Sequence, residues 1–310
     1  MRHYAAYGAC LASEVAFPEL TPIAPTGPRW RFTVVPSLPA MRDVTPLGAE
    51  PIYDDVDARL VSHRDGHRIT IADTGVFDIA RDGRELQWEE RRESWPDFVR
   101  AHCLGRVIAT SMYLGGWLPL HASAVGTREG AIAFLAPKGF GKSSLALALT
   151  GAGARLLTDD TLPLEITVSG ECIASPGIHS LRVSDEALSA LGVAATGDVT
   201  RERKRALAPL APAQLAGDPV PLRAIYLLDP MMPGAGAPVS RVRLPETLAA
   251  VGIVAHVKSG RMLGAAAAPA LLERAARVVA RVPVHRLEVT RDLALLASVA
   301  RDVLDWHGAA

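Results

Sequence analysis

The chain has 310 residues, of which 49% are hydrophobic, and its 33 basic side chains balance 33 acidic ones. This is the composition of an ordinary globular protein with one large or two unequal domains. Balanced charge gives no general case for a nucleic acid or a membrane surface as a partner. No apolar run reaches the ~18 residues of a bilayer-spanning helix. The N-terminus also lacks the basic start and apolar core of a signal peptide.

The cysteines predict a reducing location. Cys10, Cys103 and Cys172 are isolated and odd in number, which argues against a disulfide framework. We therefore expect a cytoplasmic protein.

The first 95 residues differ in pattern from the rest. Short segments with β character, among them 30–35, 68–71 and 76–79, alternate with Pro, Gly and Asp turns. This pattern predicts a small β-rich N-terminal domain over residues 1–95 and a second domain over 96–310. The second domain begins with apolar residues at helical spacing from about 95 to 114.

Two strands and a helix are predicted next. An apolar strand over 118–125 carries His121, and a turn at 126–130 leads into a second apolar strand over 131–135, so the two strands are expected to pair as a hairpin. A loop with glycines at 139 and 141 follows, and helix-forming residues continue from 144 to 149. Strand, glycine-bearing loop, Lys-Ser and helix, in this order, are typical of a phosphate-binding P-loop.

Each residue type in the loop suits a triphosphate. Gly139 and Gly141 let the backbone curl so that its N–H groups face phosphate oxygens, and the helix N-terminus adds partial positive charge. Lys142 supplies a point charge for the transferring phosphoryl group, and the Ser143 hydroxyl is placed to bind Mg²⁺. The predicted nucleotide-binding residues are Lys138, Gly139, Phe140, Gly141, Lys142, Ser143 and Ser144. Ala136 stands where the pattern G-x-x-x-x-G-K-[ST] has its first glycine.

An acidic pair follows the loop helix. Residues 154–158 predict a compact strand that ends at Asp159 and Asp160. Carboxylates at the C-terminal end of a strand beside a P-loop lie where Mg²⁺ and the attacking group must meet. A solvated turn is the alternative for this pair, and a core histidine is the alternative for His121. Further on, a basic cluster containing Lys204 and Arg205 is either a solvated loop face or a clamp for substrate.

These motifs resemble a known family. His121 with Val125, the loop from Gly139 to Ser143 and the acidic pair look like the catalytic domain of HPr kinase/phosphorylase. The chain resembles most closely the HPr-kinase-related proteins that include lasso-peptide precursor kinases. The intervals of 21 residues from His121 to Lys142 and 17 from Lys142 to Asp159 look like those of the family. The likeness spans roughly residues 95–308 and is specific at three motifs.

The resemblance implies an α/β fold with a P-loop kinase core of the HPr kinase/phosphoenolpyruvate carboxykinase type. It implies an ATP- and Mg²⁺-dependent serine kinase in which Lys142 binds the β- and γ-phosphates. Asp159 would be the catalytic base, His121 would tune it, and Ser143 with Asp160 would hold the metal. Lys204 and Arg205 would contact substrate, and the family also suggests a homo-oligomer. The family's further acidic metal ligand falls near Ala174 here, and Glu165 is the alternative for that role.

The acceptor is left open by the motifs, because a P-loop names the phosphoryl donor and not its recipient. The main hypothesis is a serine of a peptide or small protein, with a lasso-peptide precursor as the finer choice. The alternatives are a small-metabolite kinase and an ATP-binding regulator without turnover.

Overall fold

The computed structural model describes residues 1–53, 55–90, 96–179, 181–193, 205–206, 210–234 and 236–308. The chain forms two compact units, one made of residues 1–119 with 257–274 and the other of residues 120–256 with 275–310. This division differs from the predicted boundary at 95/96. Residues 96–119 belong to the first unit, and the chain returns to that unit late in the sequence.

The first unit is built on a mixed, mainly antiparallel sheet. Its strands are β1 (Arg2–Ala6), β2 (Ala9–Ser13), β3 (Thr21–Pro22), β4 (Trp30–Val35), β5 (Thr45–Tyr53), β6 (Val56–His63), β7 (Gly66–Ile71), β8 (Gly75–Ala80) and β9 (Glu85–Glu90). They follow the order β3-β1-β2-β4-β9-β8-β7-β6-β5. The predicted strands over 30–35, 68–71 and 76–79 are confirmed within β4, β7 and β8.

The predicted helical segment is confirmed but is interrupted. It comprises α1 (Pro96–His102), a π-helical turn (Cys103–Val107) and α2 (Ile108–Leu114). The segment is fastened to the sheet of its own unit. The Tyr7 hydroxyl donates to the Leu104 carbonyl at 2.8 Å, and Nε1 of Trp30 donates to the Ser111 hydroxyl at 2.7 Å. Aromatic anchors from the sheet therefore explain why these residues pack with the first unit.

The second unit contains the glycine-bearing loop. Its strands are β10 (Leu118–Thr127), β11 (Gly130–Leu135), β12 (Arg155–Ile166), β13 (Cys172–Ala174), β14 (Arg182–Val183), β15 (Arg205–Ala206), β16 (Val220–Met231), β17 (Val239–Arg243) and β18 (Val284–Thr290). The main sheet has the order β11-β10-β12-β13-β16-β18-β17, and β11 also pairs with β16. The predicted hairpin is confirmed, since β10 and β11 pair antiparallel with Ala122 opposite Leu135.

The remaining helices are α3 (Lys142–Gly151), α4 (Asp185–Ala190), α5 (Glu246–Val254), α6 (Gly260–Leu263), α7 (Ala268–Val279) and α8 (Leu296–Asp305). The core of the second unit joins α3 and α8 to β11 and β16. Leu145 and Leu149 of α3 share one buried cluster with Val299 and Val303 of α8. No helix in the described ranges is long and apolar enough to cross a membrane.

Candidate active site at the glycine-bearing loop

The strand, loop and helix predicted from the sequence are present at residues 130–151. Every residue of β11 is buried, and the strand leads through residues 136–141 into α3. Gly139 and Gly141 have φ angles of +89° and +93°, in the left-handed region that favours glycine. A Cβ at either position would meet no atom within 4 Å. The glycines are therefore needed for backbone conformation, and the space beside the loop is open.

The N-terminus of α3 faces this open space. The hydrogen-bond ladder of the helix begins with the Leu145 N–H, which donates to the Gly141 carbonyl at 2.9 Å. The N–H groups of Lys142, Ser143 and Ser144 precede that ladder, as is usual for the first turn of a helix. Gly141 caps the helix without a side chain. Backbone donors and the helix dipole together make this end suitable for an anion.

Lys142 is folded back over the loop. The residue is only 8% exposed, and Nζ donates to the carbonyls of Ala136 at 2.7 Å and Pro137 at 3.3 Å. Lys138 and Phe140 are exposed, and Phe140 retains 45% of its surface. The ammonium group is thus held at the loop, in reach of whatever the loop binds.

The acidic pair lies inside β12, so the prediction that the strand ends there was wrong. β12 continues through both aspartates to Ile166, because residues 161–164 are buried and keep the strand in the sheet. The loop around Gly177 packs against this strand. A Cβ on Gly177 would lie 2.1 Å from Oγ1 of Thr158, so only glycine permits the approach.

The structure brings Asp159 to the glycine-bearing loop. Ser143, in the first turn of α3, lies beside the Asp159 carboxylate and favours its ionised form. The Ser123 hydroxyl of β10 donates to Oδ1 at 2.5 Å, and the backbone N–H of Arg182 donates to Oδ2 at 3.2 Å. Three elements therefore fix the position of this carboxylate.

Burial raises the pKa of Asp159 to about 6. Desolvation is the largest influence, and it outweighs the hydrogen bonds from Ser123 and the Arg182 N–H and the influence of Ser143, all of which favour the charged form. The neighbouring Asp160 charge adds to the rise. A carboxylate with a pKa near 6 is mostly ionised at neutral pH, yet it binds a proton more readily than an exposed aspartate does. Both properties suit a general base.

Asp160 and His121 form a neighbouring pair. Nδ1 of His121 lies 3.3 Å from the Asp160 carboxylate and 3.2 Å from its carbonyl oxygen. The Thr161 hydroxyl donates to the other carboxylate oxygen at 3.0 Å. His121 thus contacts Asp160, whereas Ser123, two residues further along β10, contacts Asp159. The register of β10 against β12 sets both contacts.

The oxygen atoms available here fit Mg²⁺. Magnesium is usually held by one or two carboxylates together with substrate phosphates, and Ser143, Asp159 and Asp160 offer hydroxyl and carboxylate oxygens. Within the described residues, no group of three or more His, Cys, Asp or Glu side chains could hold a metal ion alone. A Mg²⁺ ion at this site would complete its shell with water or phosphate oxygens.

Of the two predicted substrate contacts, Lys204 and Arg205, the structure describes only the backbone of Arg205. Lys204 lies outside the described residues. The backbone of Arg205 lies in β15, where it pairs with Val183 of β14, one residue from the N–H that bonds Asp159.

Sequence reasoning missed three participants. Ser123 had a signal, since it lies two residues from His121 on the same strand. The Arg182 N–H and His256 had none, because a backbone group and a lone histidine in a loop carry no pattern. His256 accepts the His121 N–H through its carbonyl at 2.8 Å. Burial lowers the pKa of the His256 imidazole, and the charges of Lys142 and His121 lower it further.

No protein-family model matches the chain, and no curated protein matches it. Among solved structures, it is similar to the HPr(Ser) kinase/phosphatase from Coxiella burnetii. The two share 13% identity with a TM-score of 0.32, over 61% of this chain and 99% of the other. That likeness is too low to transfer the role of any residue. The chain itself is a mixed α/β protein, and its glycine-bearing loop meets a carboxylate of raised pKa.

Proposed function

We propose that this protein is an ATP-dependent kinase with a P-loop core of the HPr kinase/phosphorylase type. It would transfer the γ-phosphoryl group to a serine hydroxyl of a peptide or small protein. The observation that carries the proposal is the position of Asp159 beside Ser143, in the first turn of the loop helix. It brings a largely desolvated carboxylate, suited to accept a proton, to the start of that helix.

In this proposal the loop holds the donor. The N–H groups at the start of α3 bind phosphate oxygens, and Lys142 exchanges the carbonyls of Ala136 and Pro137 for the β- and γ-phosphates. Bound Mg²⁺ would supply positive charge to the β- and γ-phosphate oxygens, and Ser143 and Asp160 would hold it. Binding of the triphosphate therefore requires Lys142 to leave its present partners.

Asp159 acts on the acceptor. The serine oxygen forms a bond to the γ-phosphorus while the bond from that phosphorus to the bridging oxygen of ADP breaks. The serine proton passes to the Asp159 carboxylate, which later releases it to solvent. Phosphoserine and ADP are the products. General-base help of this kind is worth about 10²–10⁴ in rate, and positive groups on the phosphates contribute more.

His121 lies beside the reacting groups through Asp160. Its ring nitrogen is close to the Asp160 carboxylate, so the imidazole would position the metal-binding oxygen directly and influence Asp159 through it. Lys204 and Arg205 remain the proposed contacts for the substrate. A lasso-peptide precursor is the finer proposal for that substrate.

The test is phosphoryl transfer from labelled ATP with Mg²⁺ and serine-containing peptides, including a lasso-peptide precursor. We expect label on a peptide serine with the wild type and almost none with Asp159→Asn, while nucleotide binding persists in both. Asp305→Asn, an exposed aspartate at the end of α8, serves as the matched control. Labelled product of low mass would favour the small-metabolite kinase. Tight ATP binding without any product would favour the regulator.

A further inference from the structure

A cavity of about 520 Å³ lies in the first unit, at the turn that joins β6 to β7. Its walls include Asp43, Ser62, His63, Arg64, His67 and Arg81. We call it the histidine pocket. None of these residues belongs to the candidate active site.

The hairpin of β6 and β7 places both histidines at the pocket. His63 pairs with Gly66 across the turn, and Ser62 pairs with His67. Gly66 also lies against β8, where a Cβ would be 2.1 Å from the Ile79 carbonyl oxygen. Because Gly66 lacks a Cβ, the turn packs closely on the end of β8, and Arg81 follows that strand directly. Nε of Arg81 then donates to the Arg64 carbonyl at 2.8 Å.

Ring nitrogens of both histidines lack partners. Nε2 of His63 and Nδ1 of His67 are buried, and neither has a hydrogen-bond partner among the described residues. Nδ1 of His63 accepts the Asp65 N–H at 3.3 Å, so the neutral ring carries its proton on Nε2. That atom is a donor without an acceptor. Buried polar atoms in this condition are uncommon in folded proteins, and they can mark a place where an ion binds.

Two arginines line the same pocket as the histidines. Across the part of the chain that the structure describes, neither Arg64 nor Arg81 forms an ion pair, whereas Arg68 nearby is paired with Asp78 at 2.5 Å. Asp43 is the acidic side chain in the lining. Burial lowers the pKa of His67, and the charges of His63 and Arg81 lower it further. Guanidinium groups repel a metal cation, so the donors favour an anion.

We propose that the histidine pocket binds a phosphate-sized oxyanion. Arg64 and Arg81 supply the charge, and the ring N–H groups of His63 and His67 donate hydrogen bonds to the anion oxygens. The torsion that turns a histidine ring is soft, and both histidines line the pocket, so binding of the anion would orient their N–H groups. His67 takes the form with a proton on Nδ1. The ligand is a free phosphate or the phosphate group of a monoester, since both present the same oxygens.

Titration of the full-length protein with inorganic phosphate tests this proposal. Calorimetry gives the affinity, and the imidazole NMR signals of His63 and His67 report the location. The glycine-bearing loop is a second place where phosphate would bind, so the titration uses Lys142→Ala. We expect saturable binding that shifts both histidine signals. Arg81→Gln should weaken it at least about tenfold, because hydrogen bonds to charged groups are the strong ones.

Arg84→Gln is the matched control, since Arg84 is an exposed arginine close to Arg81 in sequence but is not part of the lining. In the Lys142→Ala background, this control variant should bind phosphate with the same affinity as the Lys142→Ala protein. His67→Gln provides a second variant should Arg81→Gln unfold, which circular dichroism would reveal. A parallel titration with phosphoserine distinguishes the two possible ligands. If phosphoserine binds more tightly than inorganic phosphate, the ligand is a monoester; if it binds more weakly, the ligand is free phosphate.

The proposal is overturned if the Lys142→Ala protein shows no saturable phosphate binding. It is equally overturned if Arg81→Gln and Arg84→Gln bind alike, or if the signals of His63 and His67 do not move. Binding of Zn²⁺ in place of phosphate would also refute it. None of these results depends on kinase activity.

Discussion

Replacing Asp159 by Asn removes a charge while preserving the shape of the side chain. Burial raises the pKa of Asp159 from its ordinary 3.8 to about 6. Because the pKa is higher in the folded state, the folded protein binds the extra proton between about pH 4 and pH 6. Its stability therefore falls as the pH rises through this window. The two values differ by about two pH units, which corresponds to at most roughly 3 kcal/mol.

An asparagine at position 159 avoids the cost of burying a charged carboxylate and keeps the hydrogen bonds with Ser123 and the Arg182 N–H. Its carbonyl oxygen accepts the Arg182 N–H, and the Ser123 hydroxyl rotates to accept a hydrogen from the amide. We expect Asp159→Asn to be more stable than the wild type at pH 7.5, by up to roughly 3 kcal/mol. The difference should vanish near pH 4. The same variant should transfer phosphate about 10²–10⁴ times more slowly.

Urea denaturation at pH 4 and pH 7.5 measures the stability, and labelled ATP measures the transfer. The Asp305→Asn control should change the free energy of unfolding by less than about 0.5 kcal/mol. The reasoning fails if Asp159→Asn is less stable than the wild type at pH 7.5. The cost of burying the ionised carboxylate would then be smaller than the contribution of its hydrogen bonds to stability. Unchanged transfer would remove Asp159 from the reaction. In the wild type, transfer should rise with pH through about 6 and then level off, because the base must be ionised.

Three further substitutions follow from the geometry. Lys142→Ala should weaken ATP binding at least about tenfold, measured by calorimetry; equal affinity would contradict the role of Nζ. Gly141→Ala should cost about 1–2 kcal/mol of stability, because φ is +93° there and no neighbour obstructs a methyl group. Gly177→Ala should cost about 1–3 kcal/mol, because the new Cβ would press on Thr158. Urea denaturation tests both glycine variants, and wild-type stability in either would show that the loop relaxes freely.

Local pattern was enough to predict several elements. The hairpin of β10 and β11, the glycine-bearing loop and the start of α3 depend on neighbours within a few residues. Apolar runs, glycine conformations and helix propensity act at that range. The helical path ending at Leu114 was predicted for the same reason.

Longer-range features were predicted less well. The end of β12 was misplaced because the acidic pair suggested a turn, whereas burial of residues 161–164 keeps the strand in the sheet. The two compact units also differ from the predicted division at 95/96. Residues 257–274 rejoin the first unit, and no local signal marks that return.

Local sequence pattern was sufficient to place a glycine-bearing loop before a helix and acidic residues after it. The approach of Asp159 to Ser123, Ser143 and the Arg182 N–H, and its raised pKa, arise only in the folded protein. Hydrogen bonds between residues far apart in sequence depend on strand register. Desolvation depends on everything packed around the carboxylate. Neither quantity exists until the chain has folded.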